Sequence, residues 1–111
     1  MKKFVVVYYA PKEAIDQMKN LTLEKHKEVM KPWMEWMKKC GDGMVDMGGH
    51  LGNGKKVTTS GVAASDKEIA GYSILQAETM DKAIDMLKDH PHLTWADGCQ
   101  IEVYESMLMP E

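Results

Sequence analysis

Phenylalanine is nearly missing from this chain: it has one, Phe4, against 11 methionines. Methionine is flexible and fills irregular gaps, so the pattern reads as a core built with Met in place of aromatics rather than as a copper site. Cysteine is scarce as well. Cys40 and Cys99 make no disulfide framework, and both fall on apolar faces, as buried free thiols of a cytoplasmic protein would. No apolar run approaches the ~18 residues of a membrane-spanning helix. Met-Lys-Lys before an apolar run has the look of a signal peptide, but that run ends at Ala10-Pro11-Lys12-Glu13 without a small-residue cleavage site, and a strand is the expectation. Basic residues are not in excess. The net charge of -3 argues against a nucleic-acid partner, since phosphate binding needs a basic surface. Phosphate-loop signatures are absent: Gly48-Gly49 lies in no G-x-G-x-x-G or Walker pattern. Neither a G-x-S-x-G elbow nor an ordered Ser/His/Asp set occurs.

What is present is enough for one domain: 111 residues, 44% of them apolar and 28% charged. Phe4-Val5-Val6-Val7-Tyr8-Tyr9-Ala10 organises the rest. Alternation puts Phe4, Val6, Tyr8 and Ala10 on one face and Val5, Val7 and Tyr9 on the other, and both sets are apolar. Such a strand is covered on both sides. Lys12–Lys19 reads as a short helix or turn. Leu23–Cys40 reads as an amphipathic helix, with Thr22 as N-cap, Gly41 just past its end and Pro32 as an internal kink. Its apolar arc is roughly 200° wide, more than one sheet needs. Asn53-Gly54 predicts a hairpin between a strand near 44–51 and another near 56–61, followed by a loop over 63–68. Ile69–Gln76 is a second strand apolar on both faces. Thr79–His90 is a helix capped by Thr79 and stopped by Pro91, His92–Gly98 a loop, and Cys99–Glu105 the last strand. The tail, with Met107, Leu108 and Met109, has no clear pattern.

The order β-α-β-β-α-β predicts a ferredoxin-like antiparallel sheet with its helices on one face. The other face would then be bare. If on the order of 500 Å² of it stayed wet, about 12 kcal/mol of burial would be forgone. A second copy laid sheet to sheet as a twofold dimer is the simplest cover.

Trp33-Met34-Glu35-Trp36, Val45-Asp46-Met47-Gly48-Gly49 leading into Leu51-Gly52, Gly71-Tyr72-Ser73-Ile74, and His90-Pro91-His92-Leu93 followed by Ile101-Glu102-Val103 occur in an order that resembles the YCII-related (DGPF-type) family of the dimeric α+β barrel superfamily. The resemblance covers nearly the whole chain. It implies a ferredoxin-like protomer and a sheet-to-sheet homodimer. It also implies a suspected catalytic histidine on the long helix, paired with an aspartate near a pocket. His26 is the histidine of that helix, and Asp46 matches the acidic position before the family's Gly turn.

His26 lies in the apolar arc beside Trp33 and Met37, where an imidazole needs a partner or an opening to solvent. It is either satisfied by a backbone carbonyl or acts as general base or ligand contact. Asp46 and His50 share a strand face about 13 Å apart, so they do not touch, though either could approach His26. Asp46 is otherwise an edge carboxylate and His50 a loop-edge residue. His50, Trp33 and Tyr72, the last as a cleft hydroxyl, are the expected ligand contacts. His90-Pro91-His92 invites a metal reading, but no third ligand with recognisable spacing accompanies it, and His90 suits the end of a helix. No cofactor or metal is expected. The expectation is therefore a small-molecule-binding homodimer, with a cofactor-free enzyme using His26 and Asp46 as its sharper form. The alternative is a non-enzymatic dimeric module that binds another protein.

Overall fold

A computed structural model describes residues 1–65 and 68–107. The tail methionine Met109 and its neighbour Leu108 lie outside them. β1 (Lys2–Tyr9) is followed by α1 (Lys12–Lys19) and α2 (Leu23–Cys40), then β2 (Met44–His50), β3 (Lys55–Thr58), β4 (Gly61–Ala64), β5 (Ile69–Ala77), α3 (Met80–Leu87) and β6 (Gln100–Glu105). Four strands form one antiparallel sheet in the order β2-β5-β1-β6. With the β3–β4 excursion set aside, this is the ferredoxin-like order, and β1 is central as expected.

The alternation in β1 decides where the core lies. Phe4, Val6, Tyr8 and Ala10 are buried, whereas Val5, Val7 and Tyr9 stay partly exposed. The buried set meets the helices. Val6 and Tyr8 pack with Trp36, Leu75 and Leu87, and Trp33, Met44 and Met86 close around them. Phe4 packs with Ala77 and Ala83. The helix starts follow their caps: Thr22 Oγ1 accepts from Lys25 N, and Thr79 Oγ1 from Lys82 N. Gly41 takes a positive φ where α2 ends. Only part of the wide apolar arc on α2 is covered. Trp36 is buried, Trp33 half-buried, and Leu23 and Met34 remain exposed.

Two expectations fail in the middle of the chain. Asn53-Gly54 does not close a hairpin between β2 and β3. β2 pairs with β5, while β3 turns through Thr59-Ser60 and pairs with β4 as a separate two-stranded sheet. Asn53 does take a positive φ, so the local turn signal is honoured, but it redirects the chain out of the main sheet. Residues 61–64, partly read as loop, are that hairpin's second strand. Near the other end, α3 stops at Leu87, and Pro91–Thr94 forms a 3₁₀ turn rather than loop. No described helix is long and apolar enough to cross a membrane.

Candidate functional site

The site lies where the helix face of the sheet meets α1, α2 and the turn after α3. Tyr8 and Ala70 form its floor. α1 contributes Ile15 and Met18, and α2 contributes His26, Val29 and Trp33. His50 and Leu51 rise from the end of β2, and His92 and Trp95 close the far side. These residues enclose two cavities of about 260 and 280 Å³, which share Met18, His50, Ala70 and Trp95. One cleft therefore runs past His50.

Backbone geometry brings His50 there. β2 is bulged on both sides of Asp46, and Gly48 at φ +75° sits against β5, where a Cβ would lie 1.8 Å from the Tyr72 carbonyl oxygen. The bulge lets β2 rejoin β5 at the Gly49–Tyr72 and His50–Gly71 pairs. Asp46 serves this bend: its Oδ1 accepts from Gly48 N at 2.8 Å.

Each histidine has a distinct environment. His26 Nε2 lies 3.0 Å from the Met18 carbonyl oxygen, which can only accept, so Nε2 carries the proton and Nδ1 is left with its lone pair. This is the backbone-satisfied arrangement, yet the ring still lines the cleft, 6.2 Å between centroids from His50. Burial of part of its ring, and then the proximity of His26, push the His50 imidazole below its ordinary value, although the residue reaches solvent. His92 is buried and donates from Nε2 to the Tyr9 carbonyl oxygen at 2.7 Å. Burial lowers its titration, against the opposing pull of the Tyr9 and Gln100 carbonyls.

His90 is not a helix-end dipole partner. It caps the 3₁₀ turn, its Nδ1 accepting from His92 N at 2.9 Å. It is 1% exposed, and its Nε2 has no hydrogen-bond partner. Trp33 meets the ring at 4.4 Å and 88°, and Trp36 at 4.2 Å and 58°. The perpendicular approach suits an N–H···π contact, which is weaker than a hydrogen bond. Burial, and then His92, hold His90 down to about 3. Beneath these rings the Tyr8 hydroxyl donates to Ser73 Oγ at 2.8 Å, and Ser73 donates to the Met47 carbonyl oxygen at 2.8 Å.

The expected site residues thus divide. His26, His50 and Trp33 come together in the cleft. Asp46 does not join them, being turned to its own bulge. Tyr72 pairs across the sheet with Val7 on the face away from the helices, so its hydroxyl is not part of the cleft. Tyr8, His92 and Trp95 line the site without having been singled out for it. Tyr8 was visible only as a core residue, and His92 only as half of a His-Pro-His pair. Among the described residues, no group of three or more His, Cys, Asp and Glu is gathered so as to hold a metal ion.

Residues 1–106 match the family model described as YCII-related domain. No curated protein matches the chain.

Proposed function

The chain belongs to the YCII-related family, and on that premise we propose that it is a small-molecule-binding homodimer whose ligand occupies the cleft between α1, α2 and the sheet. The observation that carries this is the pair of adjoining cavities meeting at His50, walled by indole and imidazole rings. Concave sites with apolar walls and a few convergent polar groups are where small ligands bind. His26 would act as the base. The Met18 carbonyl fixes its tautomer, the role elsewhere given to a carboxylate, and leaves Nδ1 for a ligand proton. Proton transfer of this kind requires no cofactor. The dimer rests on the other face of the sheet, where Val5, Val7, Tyr72 and Ile74 remain partly exposed and Tyr104 is 51% exposed.

Ligand-observed NMR with a fragment library tests the cleft. Fragments should bind the wild type and compete with one another, and Val29→Trp, which narrows the second cavity, should remove them while leaving circular dichroism unchanged. His26→Ala should weaken binding or turnover with little loss of fold. Fragments that bind a folded Val29→Trp protein as well as the wild type would count against the cleft.

A second reading, a protein-interaction module, draws on the β3–β4 hairpin. Its cross-strand pair Val57 and Val62 is 75% and 68% exposed.

A further inference from the structure

Three of the four histidines have a ring nitrogen already committed. His26 is held by the Met18 carbonyl, His92 by that of Tyr9, and His90 by the His92 N–H. His50 alone has no hydrogen-bond partner among the described residues, and it stands at the junction of both cavities. Two hydroxyls of the lining are also spent: that of Tyr8 donates to Ser73, and that of Thr94 to the Pro91 carbonyl. The lining contains no Asp, Glu or Lys. A cation entering here would find no opposite charge. An acceptor-bearing ligand would find His50.

The walls limit the rest of the ligand. Trp33 stands 6.2 Å from His50, and Trp95 stands 5.7 Å from His92 on the far side. Flat rings favour a flat guest. The adjoining cavities of about 260 and 280 Å³ have room for one or two rings.

We infer that the cleft takes a small planar carboxylic acid, its anionic group held by His50, and that binding carries one proton onto that imidazole. The inference deepens the proposed cleft and rests on it. The groups facing His50 are His26 from α2, which disfavours a charge on it in the empty site, and His92 from the turn after α3, whose own protonation His50 disfavours. A carboxylate reverses that balance by setting a negative charge beside the ring. The reaction is a protonation equilibrium: the ligand arrives as an anion, solvent gives one proton, and a neutral imidazolium–carboxylate pair results.

Benzoate and 2-naphthoate, with their neutral amides as controls, are suitable probes, read by tryptophan fluorescence and by the ring protons of His50 in NMR. Both acids stay ionised from about pH 6 to pH 8, so any change belongs to the protein. The carboxylates should bind about three- to sixfold more tightly at the lower pH if the ring gains one unit on binding, and the amides should not change. His50 should titrate higher when the acid is bound. In His50→Ala, a replacement at a solvent-reaching position, the acids should lose their pH dependence and with it their advantage over the amides. Acids whose affinity does not change with pH while the amides bind would overturn the anion inference and leave the cleft standing. So would a titration shift that falls on His26 instead, or a pH dependence that survives in His50→Ala. Failure of every probe to bind would remove this inference together with the proposed cleft.

Discussion

The buried imidazole of His90 makes stability depend on pH in a way that can be isolated. In the unfolded chain the ring titrates near its ordinary 6.5, whereas in the folded protein it is held to about 3. Below 6.5 the unfolded state therefore binds a proton that the folded state refuses. Stability is fully present above that value and is lost progressively as pH falls toward 3. Between about pH 7.5 and about pH 5 the loss is about 2 kcal/mol, at 1.36 kcal/mol per unit. For a domain of this size that is a fall of roughly 8 °C in Tm. His92 contributes in the same direction, so the wild-type slope is the steeper for it. His90→Asn isolates the first ring. Asn can still accept from the His92 N–H as a cap but does not titrate. The variant will be less stable throughout, because the space between Trp33 and Trp36 is left underfilled. Urea titrations of both proteins at the two pH values should give a wild-type loss exceeding that of the variant by about 2 kcal/mol. Equal losses would refute the reasoning, as would an NMR titration placing His90 in the folded protein near its ordinary value.

Gly48→Ala should cost about 3 kcal/mol or more in a thermal melt, because its Cβ would collide with the Tyr72 carbonyl, whereas Gly49→Ala, which meets nothing within 4 Å, should cost well under half as much. Ser73→Ala leaves both the Tyr8 hydroxyl and the Met47 carbonyl unpaired and should lose about 1–3 kcal/mol in denaturant, exceeding Tyr8→Phe, which spares the Ser73–Met47 bond. Ile74→Asp, on the partly exposed face of β5, should give a folded monomer at micromolar concentration where the wild type should sediment as a dimer. A wild-type protein that sediments as a monomer there would remove the dimer.

The central strand was legible because alternation along 4–10 depends on the strand's own geometry and needs no knowledge of neighbours. The same holds for Leu23–Cys40, where Thr22 and Gly41 mark the ends locally. The hairpin was misplaced for the opposite reason. Asn53-Gly54 specifies a bend but not which strands it joins, and the pair that forms turns at Thr59-Ser60, which carries no such signal. At the site, helical spacing put His26 and Trp33 on one face, and the cleft uses both. Asp46 could not be assigned from spacing, since whether a carboxylate faces a pocket or caps its own bend depends on a bulge invisible in the sequence. His90 and His92 were missed as an aromatic cluster because the helical period ends before Pro91, and the 3₁₀ turn that folds both rings back over Tyr8 has no period of its own.

The irregular path of β2 has a consequence for how copies of the molecule can meet. A long, even outer strand invites another chain to extend the sheet sideways. Here the exposed margin is bent at Asp46 and Gly48, so its free amide and carbonyl groups fall out of step with any straight newcomer. Growth of the sheet past β2 is thereby discouraged, and the broad face bearing Val7 and Ile74 offers a surface on which association can close at two copies instead of running on into a fibre.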